Sequence, residues 1–574
     1  MRLFVRLAHP LAHPLAQGIR CATRSQEARR WRGPIALLIA LAPAMTVSAA
    51  RIVYLAEQEF IFVTELFVVD LATPGVTTRL NRSLSIESEG VGSFAISPSG
   101  AQIVFSADQA TAGDPDLFLL DIAAPGMWTR LGSLAAGQRE MFAKFSPDGR
   151  MLAFTASDPS VAGTELYLVD LADPGRATRL NSDLVANGAV SLTGFEFTPD
   201  GSRIVYVAAE LQNRFELYVV DVAAPGLSVR LNAPGGNVGD TFEGRFKILP
   251  DSRRVVYSAV SENPGVRELH VVAFDQPGQA TTLNAPLQSA GDIFDFSVSV
   301  DGRLVAYTAD QDTDTILEVF IVDVDSPGAA TKVNGPVHSG AALARFTPDG
   351  QHLIYAGDEE RGPGERDLYR VAIDQPANRV RLNATPESGV DIGPYAISAD
   401  GALVAYKPAP AGGFETDLMV VRPDAPGIAA KVNGPLPNGA LDFQPPKFSP
   451  DGEELAFLAV ESLDDSIQEL FFARMSAPGA SIRLNGPLPP GAVVAATPNS
   501  FEFLPAGAPP TGDLPPDSPP PVGGPATESS GGGAVGLFTL FLLLVRGMDR
   551  RIYVRRVEGT GTFWRAVKVT VPNG

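Results

Sequence analysis

Apolar and polar residues alternate in short runs along most of the chain, from Arg51 to about Pro505. A typical run, Arg203-Ile-Val-Tyr-Val-Ala208, is rich in β-branched and aromatic residues. Such runs begin and end next to Gly, Pro, Asn or Asp residues. This pattern is typical of β-strands, and no segment in the range has the period of an amphipathic helix. The pattern therefore predicts an all-β fold.

A tight turn of the type Ser/Thr-Pro-Asp-Gly recurs between pairs of these runs, at a spacing of 48 to 52 residues. Pro presets φ, Asp bonds the turn backbone and Gly accepts a positive φ, so each turn predicts a β-hairpin. The eight turns are residues 97–100, 146–149, 198–201, 249–252, 299–302, 347–350, 398–401 and 449–452.

Each unit continues beyond its hairpin with two more strands. In one unit the third strand is Glu216–Asp221, a second turn is Ala224-Pro-Gly226, and the fourth strand ends at Arg230-Leu-Asn232. Four short antiparallel strands, repeated at this spacing, are typical of a β-propeller.

The two ends of the repeat region are incomplete and complement each other. Residues 51–81 supply the last three strands of a unit, and Pro498–Pro505 supplies a first strand. Pairing them would close the ring and remove two exposed sheet edges. The sequence therefore predicts a single propeller of eight to nine four-stranded blades over 51–505, closed by the N- and C-terminal half-units.

The turn, its following strand and the Glu-Leu-Tyr-x-Val-Asp third strand resemble the TolB-like, WD40-like propeller repeat. The resemblance implies the propeller fold. It also implies a choice of functions, because such propellers serve as protein-binding platforms, as accessory domains of serine peptidases and occasionally as lyases.

Charge and cysteine content exclude several kinds of chemistry. The formal charge is −20; residues 1–50 carry +6 and 546–574 carry +5, so the middle carries −31. Such a surface repels nucleic acid and anionic lipid, and we expect a monomer with no nucleic-acid partner. The one cysteine, Cys21, lies in a segment that we expect to be removed, which excludes disulfides and thiol catalysis in the mature protein.

The termini predict export. Residues 1–50 have the basic, apolar and small-residue order of a signal peptide with an extended basic region. Residues 506–533 form a Pro/Gly-rich linker, 534–551 a hydrophobic segment with a basic stop, and 552–574 a short tail expected to be unstructured.

Residues 529–551 resemble the GlyGly-type C-terminal sorting signal of Gram-negative bacteria. The resemblance implies cleavage near the glycines and a periplasmic, cell-surface or secreted protein. A plain short membrane anchor is the alternative. In either case we expect membrane contact only through this segment.

No catalytic constellation is predicted. A Gly-x-Ser-x-Gly elbow is missing. His270, His338 and His352 fall in different units, so they form neither a triad nor a metal site. An acid opens every third strand and an Asn follows almost every fourth strand. Because both repeat, we interpret the acid as structural and the Asn as a residue that turns the chain by bonding its own backbone.

The longer loops that differ between units, such as Ala208–Phe215 and Gly357–Arg366, lie on the face opposite the tight turns and are the expected ligand surface. The favoured function is non-catalytic binding of a protein or glycan there. The alternatives are a lyase-like or hydrolytic enzyme with a site in the central channel and a structural cell-surface protein.

No cofactor is expected, and one loop is a weak calcium candidate. Asp310, Asp312 and Asp314 alternate as in calcium loops, and Glu318 would add a ligand, but Thr315 stands where such loops place glycine. We favour a solvated acidic loop. Calcium and a chelator should then leave the melting temperature unchanged, whereas an upward shift with calcium would identify a metal site.

Overall fold

The structure is a computed structural model in which two parts of the chain are described. The first is residues 50–511, and the second is the backbone of 551–558 and 561–568. Within the first part the description leaves out residues 86–87, 112–113, 133–138, 159–162, 187, 211–213, 235, 240–245, 261–265, 289–290, 385–388, 411–416, 437–439, 443, 461–466, 496–499 and 510. The predicted signal peptide, most of the linker and the hydrophobic segment lie outside the described residues.

The described residues up to 511 form nine antiparallel blades of a β-propeller, which confirms the predicted fold class. We number the blades along the chain from the one that contains Arg51. Blade 1 contains β1 (Arg51–Phe60), β2 (Val63–Asp70), β3 (Thr77–Arg79) and β37 (Phe501–Phe503). Blade 2 contains β4 (Val91–Ile96), β5 (Gln102–Thr111), β6 (Asp114–Asp121) and β7 (Trp128–Arg130). Blade 3 contains β8 (Arg139–Phe145), β9 (Met151–Asp158), β10 (Gly163–Asp170) and β11 (Ala177–Arg179).

The next three blades repeat the same order of strands. Blade 4 contains β12 (Val190–Phe197), β13 (Arg203–Ala208), β14 (Glu216–Asp221) and β15 (Val229–Arg230). Blade 5 contains β16 (Phe246–Ile248), β17 (Arg254–Val260), β18 (Arg267–Ala273) and β19 (Thr281–Thr282). Blade 6 contains β20 (Ile293–Val298), β21 (Leu304–Ala309), β22 (Glu318–Asp323) and β23 (Thr331–Lys332).

The last three blades complete the ring, and blade 9 has its first strand in two pieces. Blade 7 contains β24 (Ala341–Phe346), β25 (His352–Gly357), β26 (Asp367–Ala372) and β27 (Gln375–Arg381). Blade 8 contains β28 (Val390–Ile397), β29 (Val404–Pro410), β30 (Met419–Val421) and β31 (Ala429–Lys431). Blade 9 contains β32 (Ala440–Leu441), β33 (Lys447–Phe448), β34 (Glu454–Val460), β35 (Gln468–Arg474) and β36 (Ser481–Arg483).

The two half-units pair as predicted. In blade 1 the strand β37 lies antiparallel to β1, with Ile52 opposite Phe503 and Tyr54 opposite Phe501. The Arg51 guanidinium also donates to the carbonyl of Ala508, 2.9 Å away. The first strand of the ring's first blade is thus supplied by the end of the repeat region, more than 400 residues along the chain.

The core lies between blades. Second strands such as β21 are buried along their whole length, because each sheet packs a neighbour on both faces. Blade 1 packs against blade 2 through side chains that include Val53 and Phe105, and against blade 9 through side chains that include Phe501 and Phe472. Each blade therefore depends on both neighbours for its burial.

The Pro-Asp-Gly turns are held as the sequence predicts. In blade 3, Ser146 Oγ donates to Asp148 Oδ1 at 2.6 Å, and the Arg150 N–H donates to the same oxygen at 3.1 Å. The hydroxyl and the N–H lower the pKa of Asp148 from its usual value. Gly149 takes φ +71°, which only glycine adopts at little cost.

Two strands lie in the C-terminal part of the chain. Strands β38 (Arg551–Glu558) and β39 (Gly561–Lys568) pair antiparallel, from Arg551 opposite Lys568 to Glu558 opposite Gly561. The sequence accounts for the pairing, because both segments are rich in Val and aromatic residues and Gly559-Thr560 lies between them. Among the described residues, none belongs to a helix that is long and apolar enough to cross a membrane.

Ring closure generates a stability prediction. Phe501 of β37 is 1% exposed between blades 1 and 9, so Phe501→Ala should lower the free energy of unfolding by about 3–5 kcal/mol. Denaturant unfolding followed by fluorescence measures this. Phe294→Ala is the matched control on an exposed side chain and should cost less than about 1 kcal/mol. Equal unfolding midpoints for the two variants would contradict a closed blade 1.

Candidate functional site

The acid that opens each third strand forms a structural ion pair. In eight blades it pairs with an Arg or Lys fourteen residues later, on the fourth strand of the same sheet. The pairs are Glu65–Arg79, Asp116–Arg130, Glu165–Arg179, Glu216–Arg230, Glu318–Lys332, Asp367–Arg381, Asp417–Lys431 and Glu469–Arg483. In blade 5 Glu268 has Thr282 at the corresponding position. In these eight blades the acid therefore joins the third strand to the fourth.

The repeated asparagine is structural, but its role differs from the predicted one. Asn232 Oδ1 accepts the Leu217 N–H at 2.8 Å, and its Nδ2 donates to the carbonyl of Ala233. The same side chain therefore ties the end of the fourth strand to the start of the third. None of the eight asparagines is among the described residues with a positive φ. The eight are Asn81, Asn181, Asn232, Asn284, Asn334, Asn383, Asn433 and Asn485.

Three of the four predicted calcium residues interact with other groups of the protein. Asp310 is buried and accepts the Asp292 N–H at 2.5 Å, while Glu318 pairs with Lys332 and Asp312 lies 3.7 Å from the same Lys332. Asp314 is exposed. Thr315 takes φ +66°, so the loop makes the turn for which calcium loops use glycine. No group of three or more possible ligands occurs among the described side chains, and calcium binding here stays a prediction.

One of the two loops singled out in the sequence is described completely, and a buried carboxylate holds it. Asp358 accepts the N–H groups of His338, Ser339, Gly340 and Gly364 at 2.8 to 3.1 Å. Burial alone would raise the pKa of Asp358, but these donors and the Ser339 hydroxyl hold it below its usual value. This loop of blade 7 is therefore a fixed part of the scaffold. Residues 211–213 of the other loop lie outside the described residues.

The loop between β1 and β2 presents an apolar tip that the sequence analysis missed. Phe60, Ile61 and Phe62 are 37%, 40% and 80% exposed. They lie on the face of the ring opposite the Pro-Asp-Gly and Ala-Pro-Gly turns; we call this the loop face and the other the turn face. The available signal was three consecutive large apolar residues in a loop, since other loops at this position are mostly polar.

The backbone at the apolar tip is strained. Phe62 takes φ +67°, although a residue with a Cβ disfavours this conformation by about 1–2 kcal/mol. Burial raises the pKa of the nearby Glu57 carboxyl, and the Phe62 backbone N–H opposes that rise. Beside the tip Glu59 pairs with Arg79, and a Cβ on Gly90 would lie 2.7 Å from the Thr64 backbone, so the adjoining loop packs tightly there.

The channel at the centre of the ring is lined by the first strands. Neighbouring first strands contact one another, and Ser93 Oγ donates to the Met141 carbonyl of the next blade at 2.6 Å. Six of the described first strands, those of blades 2, 3, 4, 6, 7 and 8, carry a register shift. A bulge re-aims a side chain. Phe142, Leu192 and Phe294 are exposed at these shifts.

One residue of each first strand lies near the turn face, two residues before the Pro-Asp-Gly turn or its counterpart. We call these residues the channel row. Its members in blade order from blade 2 are Ala95, Lys144, Glu196, Lys247, Ser297, Arg345, Ala396, Lys447 and Glu502. Four of these are basic, in a chain of net charge −20.

Three of the basic residues in the channel row pair with an acid of a neighbouring blade. Lys144 lies 2.8 Å from Glu196 and Lys447 lies 2.6 Å from Glu502, in each case the channel-row residue of the next blade. Arg345 pairs with Asp295 of the preceding blade at 2.6 Å. Two cavities open along this wall, of about 230 Å³ beside Phe142 and Lys144 and about 540 Å³ beside Lys247 and Arg345.

The three histidines lie in the third strand of blade 5 (His270), in the second strand of blade 7 (His352) and in the loop before blade 7 (His338). His270 replaces an aromatic residue in a ladder that joins the second and third strands, and its ring centre lies 5.3 Å from that of Tyr257. Burial lowers the pKa of His270 to about 4, and its Nδ1 lies 3.2 Å from Thr282 Oγ1. The other ladder pairs are Tyr54–Phe67, Phe105–Phe118, Phe154–Tyr167, Tyr206–Tyr218, Tyr307–Phe320, Tyr355–Tyr369 and Phe457–Phe471.

Comparison with known proteins adds little to the assignment. No protein-family model matches the chain, and no curated protein is similar to it. The crystal structure of the eukaryotic initiation factor matches at 10% identity and a TM-score of 0.49, over 80% of this chain and 99% of that chain. A structure from a structural and mechanistic study of two prolyl endopeptidases matches at 13% identity and a TM-score of 0.40, over 62% of this chain and 51% of that chain.

Neither likeness carries an argument about function, and the propeller assignment rests on the strand pairing described above. The more specific TolB-like, WD40-like assignment of the repeat stays a prediction.

The buried His270 predicts acid sensitivity in blade 5. Its folded pKa of about 4 lies below the ordinary value of 6.5, so the unfolded chain binds an extra proton between these values and stability falls as the pH falls through them. Phe at this position has no such proton. The stability of His270→Phe relative to the wild type should therefore rise by about 2 kcal/mol from pH 7.5 to pH 4.5.

Denaturant unfolding at the two pH values measures the difference. Phe320→His places the same group at the equivalent, 2% exposed position of blade 6 and should import the same acid-dependent loss. A His270→Phe effect that does not depend on pH would contradict a buried neutral imidazole.

Proposed function

We propose that the protein is an exported, non-catalytic binding propeller that engages a protein or glycan partner through its loop face. The observation that carries the proposal is the apolar tip Phe60–Phe62. Three consecutive apolar residues are exposed to water, which is unfavourable, and burial against a partner surface would remove this cost.

Backbone strain at Phe62 supports the same proposal. A glycine would adopt φ +67° at little cost, so a phenylalanine there lowers the stability of the free protein. Strain of this kind is common where a side chain has a task other than packing. The adjoining loop packs closely at Gly90 against the backbone of Thr64, two residues from Phe62. A pre-ordered aromatic tip binds with a smaller loss of conformational entropy than a mobile one.

The exposed apolar residues of the turn face differ in arrangement. Val76, Met127, Leu227 and Ile428 each follow the Gly of an Ala-Pro-Gly or Thr-Pro-Gly turn, one to a blade. Single exposed apolar residues are ordinary on protein surfaces. The tip of blade 1 concentrates three such residues in one loop, and aromatic anchors of this kind are enriched at protein interfaces, which favours a protein as the partner.

The binding function generates a test in which stability and partner capture separate. Phe62→Gly removes an exposed side chain and relieves the positive φ, so it should leave the melting temperature unchanged or raise it. The same change should remove most of the partner that the wild-type protein captures from the envelope and culture medium of the producing cells. Capture is measured by pull-down with quantitative mass spectrometry.

Two control variants separate the causes. Ile428→Ser removes an apolar side chain that is 76% exposed on the turn face, and Thr315→Gly relieves a φ of +66° in another loop. Both should retain the partner. Capture that survives in Phe62→Gly but is lost in Ile428→Ser would sink the proposal. Protease treatment of the captured material distinguishes a protein partner from a glycan.

A further inference from the structure

The cavity of about 540 Å³ in the channel wall is lined by two basic residues and one acidic residue. It is formed by the first strands of blades 5, 6 and 7 and by the turns that follow the first two of them. Its lining includes Lys247, Asp295, Ser297 and Arg345 with the apolar side chains of Ile248, Val298 and Val300. The lining therefore combines charged and apolar side chains.

Lys247 breaks the pairing rule of the channel row. In blades 3 and 9, the row lysine pairs with a glutamate at the row position of the next blade, as in Lys144–Glu196 and Lys447–Glu502. For Lys247 of blade 5 the corresponding residue of blade 6 is Ser297. The Ser297 hydroxyl donates to the Ala344 carbonyl at 2.9 Å, so it does not supply the missing carboxylate.

Lys247 consequently has an exposed ammonium group and no hydrogen bond or ion pair within the part of the chain that the structure describes. Arg345 contributes a second cation to the same cavity, and Asp295 neutralises one of the two. The cavity thus has a surplus positive charge in a protein of net charge −20. A concave wall focuses that field and attracts a small anion from the channel.

We propose that this cavity binds a small carboxylate with an apolar body, and that the ligand carboxylate takes the place of the missing glutamate beside Lys247. The two equivalent Lys–Glu pairs of the ring show that the row accommodates a carboxylate at 2.6 to 2.8 Å from the lysine nitrogen. Ile248, Val298 and Val300 cover the apolar body, as in most small-molecule pockets. The site is separate from the apolar tip, so each proposal can fail without the other.

Calorimetric titration of the full-length protein at low ionic strength tests the site. The probes are hexanoate and N-acetyl-leucine, with hexanamide and N-acetyl-leucinamide as their neutral counterparts. At least one acid should bind, and its amide should bind at least about tenfold more weakly because the charge-assisted hydrogen bond is lost. Binding of only hexanoate indicates a lipid-like acid, and binding of only N-acetyl-leucine indicates a peptide C-terminus.

Variants locate the binding at Lys247. Lys247→Met should lower the affinity for the acid at least about tenfold. Ser297→Glu should lower it as much, because the new carboxylate of the protein would pair with Lys247. Ser297→Ala adds no carboxylate and should retain binding, as should Lys144→Met, which alters a lysine that already has a partner. Phe62→Gly should bind the acid as the wild type does.

Two results would overturn the proposal. One is that neither acid binds the wild-type protein. The other is that Lys247→Met and Ser297→Glu bind the acid as tightly as the wild type. Thermal melts of every variant without ligand show whether a loss of binding reflects a loss of folding.

Discussion

The pairing of β1 with β37 is the interaction on which the rest of the ring depends. Each blade is a small sheet that buries its two faces only against its neighbours, so an open array would leave two faces and two edges exposed. Blade 1 removes both by taking three strands from one end of the repeat region and one from the other. The apolar clusters on its two sides then continue into blades 2 and 9 without interruption.

A closed ring also explains which residues repeat. The Ser/Thr-Pro-Asp-Gly turns, the aromatic ladder, the acid–base pairs and the asparagine bonds each recur because every blade meets the same geometrical requirements. Departures from the repeat are more informative. Phe62 occupies a position that favours glycine, Ser297 stands where two other blades have a glutamate, and His270 replaces an aromatic ring. Two of these departures carry the proposed binding surfaces.

Much of the fold was predictable from the sequence because its determinants are local. A Pro-Asp-Gly turn between two apolar alternations predicts a hairpin at Ser146–Gly149, whatever surrounds it. The complementary ends, Arg51 onward and Phe501–Phe503, predicted the closure. The asparagine role was wrong in detail, since the Leu217–Asn232 bond joins residues 15 positions apart and becomes visible only in three dimensions.

The candidate sites were less predictable for the same reason. The exposure and the positive φ of Phe62 depend on how the hairpin of the closing blade folds. Ser297 is recognised as the neighbour of Lys247 only when the ring places residues 50 positions apart side by side.

Native-state hydrogen exchange of the intact protein tests the closed ring most directly. The account predicts that the amides of Ile52 to Leu55 and of Phe501 to Phe503 are as well protected as those of second strands in the middle of the ring, such as β21. All three segments should exchange together in the global unfolding transition. Early exchange of β1 and β37, as at free edges, with β21 still protected would contradict the closed ring.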